Sequence, residues 1–156
     1  MSFPTGGDRA ISTLQLVKSE DLNHHHTLYG GRCVEWCVHA AYIAAESCFD
    51  RPQPLVFMSI RSLSMRAPAR LGDIIQLVGE IDYVGDSTIG VRVDARITQP
   101  TDDQKIVATG TFLFCSVDEA GRAIDHGLKP RENEKRSSRE RWQRTISEER
   151  AHSPTL

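Results

Sequence analysis

Apolar residues follow two different patterns along the chain, one typical of strands and one typical of a helix. Four segments rich in Val, Ile, Thr and Phe follow one another and predict strands at residues 55–66, 73–84, 87–98 and 105–117. The residues between them include Gly, Pro and Asp, which suits short antiparallel connections. A shorter segment at residues 11–17 predicts a first strand.

One strong helix is predicted at residues 32–48, which contain neither Gly nor Pro. Its apolar face has helical spacing and consists of Val34, Cys37, Val38, Ala41, Ala44, Ala45 and Cys48. The opposite side carries Glu35, His39, Tyr42 and Glu46. Because many residues of this helix are small, a sheet can approach it closely. The order of elements predicts an α+β fold, in which a curled, five-stranded antiparallel sheet encloses one long central helix.

The chain has 156 residues, 39% of them hydrophobic, which is enough for one compact domain. Its net charge of −2 gives no basic excess, so nucleic-acid binding is not expected. No apolar stretch approaches the roughly 20 residues of a membrane-spanning helix. The N-terminal residues 1–10 lack the apolar core of a secretory signal. We therefore expect an intracellular protein, in the cytoplasm or the mitochondrial matrix.

Charge divides the chain unevenly. Residues 1–128 hold 11 basic and 16 acidic side chains, whereas residues 129–156 hold 8 basic and 5 acidic ones. Trp142 and Ile146 are the two large apolar residues within 131–150. We therefore predict a domain at 1–128 and a charged, net basic tail at 129–156 that is solvated or disordered. Contact of this basic segment with RNA or an acidic partner is the alternative.

Three consecutive histidines, His24, His25 and His26, precede two cysteines of the helix, Cys33 and Cys37, which raises the question of a zinc site. Consecutive side chains of an extended loop point in different directions, and no Cys-x-x-Cys pair is present. We therefore expect reduced thiols that fill the core, and no metal site. The sequence also lacks a GxxxxGK phosphate-binding loop, and no cofactor is expected.

A glycine pair, Gly30 and Gly31, directly precedes the predicted helix. The first four N–H groups of a helix have no internal acceptor, and glycine lets a ligand approach the backbone. Such a helix N-terminus can stabilise a phosphate, or the oxyanion that forms when a thioester or ester carbonyl is attacked. A purely structural turn is the alternative explanation of the pair.

Several short motifs occur together in one order and spacing. Residues 23–31 read NHHHTLYGG and lead into the helix, and Pro68 is followed by Gly72-Asp73. Further along, residues 85–88 read GDST and residues 111–118 read TFLFCSVD. Together these segments resemble the acyl-CoA thioesterases of the hotdog fold, over roughly residues 10–128. The tail has no counterpart in the minimal domain of that family.

The resemblance implies roles for individual residues. Asn23 matches the loop asparagine that helps to position the nucleophilic water or the thioester, and Gly30 and Gly31 match the glycines at the oxyanion hole. An acidic base or nucleophile is expected seven residues after the second glycine, where this chain has Val38. The family's active site forms between two subunits, so the resemblance also implies a homodimer or a dimer-based higher oligomer.

A valine cannot deprotonate water, so a neighbouring residue has to replace the acid if the chain is an enzyme. Glu35 lies about 60° and His39 about 100° from Val38 around the helix, and both are candidates. A solvated or interface-facing position is the alternative for each. His26, Ser87 and Thr88 are candidates for contact with the substrate.

The resemblance implies hydrolysis of an acyl-CoA thioester to a free acid and CoA, a reaction of lipid metabolism. The alternative is a non-catalytic hotdog protein with a structural, assembly or acyl-CoA-binding role. Val38 and the basic tail favour this alternative, whereas Asn23 and the glycine pair favour the enzyme.

Overall fold

The computed structural model describes residues 10–98, 105–129 and 136–152. Its strands are β1 (Ile11–Leu16), β2 (Leu55–Met65), β3 (Ile74–Val84), β4 (Thr88–Ile97) and β5 (Ile106–Ser116). Its helices are α1 (Gly30–Glu46), α2 (Arg136–His152) and a short 3-10 turn, Ser19–Asp21. All five predicted strands are confirmed to within one residue at each end. Helix α1 begins and ends two residues earlier than predicted.

The five strands form one antiparallel sheet in the order β1-β3-β4-β5-β2, and α1 lies across one face of it. We call the face against α1 the inner face and the opposite one the outer face. Helix and sheet come close at Gly79 of β3, where an added Cβ atom would lie 2.9 Å from the Cβ of Ala44 and 3.2 Å from the carbonyl oxygen of Ala40. The predicted sheet, with one central helix packed closely against it, is therefore confirmed.

The buried side of α1 consists of Cys33, Trp36, Cys37, Ala40, Ala41, Ala44 and Ala45. The predicted apolar face is thus confirmed at Cys37 and three alanines. Val34 and Cys48 are only half-buried, because the buried stripe includes Cys33 and Trp36 instead.

Cys33 and Cys37, in the N-terminal half of α1, are free thiols and fully buried, as expected. The hydrogen-bond contact with Cys33, together with burial, raises the pKa of the Cys37 thiol. Cys37 is therefore protonated at neutral pH and acts as a core side chain rather than as a nucleophile.

Strand β2 contains two β-bulges. Met58 and Arg61 are each an extra residue of β2, inserted where the register with β5 shifts. The bulges bring Phe57, Ile60 and Leu63 opposite residues 114, 112 and 110 of β5, which alternate on one face of that strand. Three apolar residues spaced by three positions therefore share the inner face, which an unbroken strand would not allow.

Helix α2 packs against the outer face. Trp142 and Ile146 are 3% and 7% exposed and form a cluster with Tyr83 of β3 and Leu113 of β5. The expectation of a solvated or disordered tail is therefore wrong for these two residues, because the outer face supplies apolar partners that sequence pattern did not indicate. The division into a domain at 1–128 and a tail at 129–156 stays a prediction.

Candidate active site

A cleft of about 300 Å³ lies at the N-terminus of α1. It is lined by Glu20, Asp21, Leu22, Tyr29, Gly31, Arg32 and Glu35. The first backbone bond of the helix runs from the N–H of Cys33 to the carbonyl of Tyr29, at 3.1 Å. Within the described part of the chain, the N–H groups of Gly30, Gly31 and Arg32 have no backbone acceptor, and no side chain caps this end. These three donors are therefore available to an anion or a developing oxyanion.

The two glycines at this end have different surroundings. A Cβ atom at Gly30 would meet nothing within 4 Å, so the backbone there is open to a ligand. A Cβ atom at Gly31 would lie 2.5 Å from Cε1 of Tyr29, because that ring lies across the glycine. Gly31 therefore has to be a glycine for Tyr29 to take this position beside the cleft.

Asn23 organises the loop that leads into α1. Its Oδ1 atom accepts hydrogen bonds from the N–H groups of His25, at 2.9 Å, and Thr27, at 3.2 Å. Its Nδ2 atom lies 3.1 Å from the hydroxyl oxygen of Thr27. The N–H of Leu28 then donates to the carbonyl of Ala69, at 2.8 Å, which ties the loop to the turn before β3.

A buried carboxylate lies beside the free end of the helix. The Asp21 side chain is 5% exposed, and its Oδ1 atom is 3.1 Å from Nε of Arg32. Its Oδ2 atom accepts a hydrogen bond from the N–H of Lys18, at 2.9 Å. Arg32 also reaches Glu35, with 3.1 Å between Nη1 and Oε2. The guanidinium group is thus held between two carboxylates at the wall of the cleft.

The predicted residues on α1 are placed differently. Glu35 lines the cleft, with half of its side chain exposed. His39 is exposed one turn further along the same side of the helix. Val38 is half-buried and packs against the core, so the position where an acid was expected belongs to the edge of the buried face.

The predicted substrate contacts are not all near this cleft. His26 is exposed in the Asn23 loop, with a φ angle of 60°. Ser87 lies in the β3–β4 turn and Thr88 is the first residue of β4, both at the far end of β3, a strand roughly 35 Å long. There the carbonyl of Ser87 accepts a bond from the N–H of Ser116, at 2.7 Å. One chain by itself does not bring Ser87 and Thr88 together with Gly30.

Sequence reasoning missed Asp21 and Arg32. Arg32 follows the glycine pair and precedes Glu35 by three residues, a spacing that could have indicated an ion pair on the first turn. Nothing in the sequence marks Asp21 as buried, because its burial depends on the path of the loop around α1.

The described residues contain neither a metal site nor a membrane-spanning helix. No three His, Cys, Asp or Glu side chains among them come together in a way that could hold a metal ion. In the same part of the chain, no helix has the length and apolar character needed to cross a membrane.

Comparison with known sequences identifies a family and a relative. The profile of the "Thioesterase superfamily" matches residues 25–103. A relative from Haemophilus influenzae, named an "uncharacterized acyl-CoA thioester hydrolase", is 26% identical over 123 residues, which are 76% of this chain and 76% of the relative.

Solved structures are similar over most of the chain. The Staphylococcus aureus acyl-CoA hydrolase, in complex with butyryl-CoA, CoA and CoA disulfide, is 24% identical with a TM-score of 0.72, and the match covers 92% of this chain and 87% of that one. The hexameric, broad-specificity acyl-coenzyme A thioesterase HI0827, solved as an aspartate-to-alanine mutant, is 25% identical with a TM-score of 0.65, over 90% and 99% of the two chains. A hexameric thioesterase of Yersinia pestis is 16% identical with a TM-score of 0.68, over 81% and 100%.

Proposed function

Because the chain belongs to the thioesterase superfamily, we propose that it hydrolyses an acyl-CoA thioester to a free acid and CoA. Its five-stranded antiparallel sheet with α1 packed on the inner face is the hotdog fold of the acyl-CoA hydrolases that it resembles. The observation that carries the proposal is the cleft at the α1 N-terminus, where three backbone N–H groups have no backbone acceptor.

The free helix end stabilises the reaction's charged intermediate. The thioester carbonyl lies against the open backbone at Gly30, with its oxygen toward the N–H groups of the first turn. When water attacks the carbonyl carbon, the negative charge that develops on this oxygen is held by those donors and by the partial positive charge of the helix end. The C–S bond then breaks, and CoA leaves as a thiolate.

Glu35 is the base that activates the water. Val38 has no group that can accept a proton, whereas the Glu35 carboxylate lies in the cleft and Arg32 holds its orientation. Glu35 accepts a proton from the attacking water and returns it to the departing thiolate, so the protons balance. His39 is the second candidate for this role, since it lies one turn away on the same side of the helix.

The spacing of two residues in one related enzyme supports the assignment of Val38 to the position of the expected acid. The Staphylococcus aureus hydrolase has been solved with an asparagine changed to alanine and with an aspartate, fifteen positions later, changed to alanine. Val38 lies fifteen positions after Asn23 in this chain. The aspartate position of that enzyme therefore corresponds by spacing to a valine here, which makes a substitute base necessary.

Asn23 supports the site as a loop organiser in the free chain. The hydrogen bonds of its side-chain amide hold the loop that carries His26. When the thioester binds, Asn23 exchanges one of these hydrogen bonds for a hydrogen bond to the thioester. A shared site in a homodimer places Ser87 of the β3–β4 turn and Thr88 at the start of β4 of one subunit beside the α1 N-terminus of the other. The hexameric assembly of similar structures supports an oligomer built from such dimers.

A second candidate function is binding of acyl-CoA without hydrolysis, in a structural or regulatory role. The observation that favours it is the packing of Val38 against the core at the expected acid position. This function uses the same cleft and the same N–H donors but needs no base.

The test is a screen of short, medium, long and aromatic acyl-CoAs, with thiol release as the readout. We expect turnover that falls about 100-fold in Glu35→Gln, with binding retained, as is typical for loss of a positioned base. Glu119→Gln, an exposed glutamate after β5, is the matched control and should leave turnover unchanged. Binding without turnover, measured by calorimetry, would favour the second candidate, and absence of both would contradict the proposal.

A further inference from the structure

The two bulged residues of β2 point to the same place. Met58 packs against the outer-face cluster that contains Trp142. The guanidinium carbon of Arg61 lies 5.0 Å from the centre of the Trp142 ring, within the range of a cation–π contact. Nη1 of Arg61 is also 3.5 Å from the carbonyl oxygen of Arg141. Both bulges therefore direct side chains of β2 to α2.

Trp142 is itself fixed on its other sides. Its ring stacks on Tyr83, with 5.9 Å between centroids and 14° between planes. Its Nε1–H donates to Oδ2 of Asp82, at 2.6 Å. A Cβ atom at Gly90 of β4 would lie 2.8 Å from the ring, so the indole occupies a slot that only a glycine leaves open. Trp142 is thus a rigid contact for the bulged residues.

The opposite side of β2 is a free edge. Among the described strands, β2 pairs only with β5 and ends the sheet. Val56, Phe57 and Ile60 on this strand are 40%, 45% and 38% exposed, and Tyr42 and Ile43 of α1 are exposed as well. An edge strand with exposed apolar residues pairs readily with another strand.

The occupant that fits this edge is a second copy of the chain. Two β2 strands can pair antiparallel about a twofold axis, so that the same residues meet from both sides and the contact closes on itself. The similar hexameric structures show that chains of this fold assemble with copies of themselves.

We propose that α2, through Trp142 and the two bulges that it contacts, sets the affinity of the β2 edge for a second copy of the chain. A bulge changes which face the following side chains occupy, and a slip of one residue moves every side chain of a strand to the other face. Without Trp142, Arg61 loses its cation–π contact and Met58 packs against a smaller cluster. The free edge then no longer presents one fixed register to its partner.

This inference rests on the dimer of the proposed function, and it adds α2, on the outer face of the sheet, as an element that controls the dimer. It predicts that two changes with nothing in common in sequence, Trp142→Ala on α2 and Gly90→Ala on β4, have the same effect. Trp142→Ala removes the indole, and Gly90→Ala fills the slot that holds it. Because both act through one contact, the double variant should be no worse than either single variant.

The experiment measures dimer dissociation by sedimentation and amide hydrogen exchange by mass spectrometry. We expect both single variants to raise the dimer dissociation constant about tenfold and to increase exchange in residues 56–63, while the α1 amides stay protected. Gln143→Ala, an exposed neighbour of Trp142 on the same helix, is the control and should match wild type.

The outcomes are distinguishable. A dimer whose affinity and β2 exchange are unchanged in both variants overturns the inference and leaves the proposed function intact. A wild type that is monomeric at all concentrations overturns the inference together with the shared site. A stable dimer without thiol release from any acyl-CoA contradicts the proposed hydrolysis but still allows the control by Trp142 to be scored. If Gly90→Ala alone unfolds the protein, Trp142→Phe takes its place, because it keeps a ring in the slot and should retain wild-type affinity.

Discussion

The two faces of the sheet are each covered by a helix of 17 residues, but by opposite means. On the inner face, a stripe of small side chains lets the backbone of α1 approach Gly79. On the outer face, α2 makes contact through two large side chains, of which Trp142 fills the slot at Gly90. In both cases a glycine inside a strand allows close packing, of a helix backbone at Gly79 and of an aromatic ring at Gly90.

The difference teaches how stability is distributed. Contacts on the inner face are spread over the whole length of α1 and belong to the main core, whereas those on the outer face depend on Trp142 and its few neighbours. A change on the inner face should therefore affect the entire fold. A change at Trp142 should release α2 and leave the inner core in place.

Gly79→Val should have the largest effect. The added side chain would collide with the Cβ of Ala44 and the backbone of Ala40, and neither can move without displacing α1. We expect a loss of more than about 3 kcal/mol in the free energy of unfolding, or failure to fold. Urea unfolding followed by circular dichroism measures it, and Val78→Ala, a half-buried neighbour, is the control. A loss below about 1 kcal/mol would show that the inner face is less tightly packed than the structure indicates.

Trp142→Ala should have the next largest effect. It removes a side chain that is 3% exposed, together with its ring stacking and its hydrogen bond to Asp82. We expect a loss of about 3 kcal/mol, at the low end for a buried tryptophan because the cluster is small. Exchange of the α2 amides should become fast, while the α1 amides stay protected. If α1 loses protection to the same extent, the two faces are one cooperative unit.

The sequence predicted the inner half of the molecule well and the outer half poorly. The position of the helix followed from its periodicity, and the positions of the long strands followed from segments rich in Val, Ile, Thr and Phe between turn residues. The bulges at Met58 and Arg61 could not be predicted from residue composition, since an extra residue in a strand changes only the register with its neighbour. Gly90, which the Trp142 ring covers, lies more than 50 positions before it in the sequence. A glycine in a strand does not by itself indicate which aromatic ring packs on it.

The candidate site was predicted in part for a similar reason. Gly30, Gly31 and Glu35 could be proposed from the sequence because a helix start and its first turns are local features. Asp21 was missed because its burial arises from a loop that folds over the helix end. The residues of the β3–β4 turn lie at the far end of β3, so a site that includes them needs a second subunit, and no pattern within one chain describes that arrangement.

Val38→Asp tests whether the half-buried position 38 on the inner face lies close enough to the cleft to take part in catalysis. The side chain is half-buried at the edge of the core, so a carboxylate there should lower the free energy of unfolding by about 2 kcal/mol. If the cleft binds acyl-CoA, the new carboxylate should raise thiol release on the order of 100-fold. Val38→Asn is the matched control, since it has similar size and polarity but no base. Equal rates in the two variants would show that position 38 is not near the reacting carbonyl.

The smallest effect is expected on the outer face, at Asp94 of β4. Burial acts to raise the pKa of this carboxyl, but the hydrogen bond from Thr109 at 2.8 Å and the nearby Arg92 and Arg96 outweigh it, so the pKa lies below its ordinary value. A group with a lowered folded-state pKa stabilises the protein above its unfolded pKa of about 4 and loses that contribution as the pH falls through the folded value. Because Arg92 is half-exposed, we expect Asp94→Asn to cost less than about 1 kcal/mol at pH 7, and still less as the pH falls from about 4 through the folded-state pKa. Urea unfolding of both proteins across this range measures the gap, with Asp50→Asn, an exposed change, as the control. If the difference in free energy of unfolding between the two proteins grows on acidification, the contribution of Asp94 comes from its packing rather than from its charge.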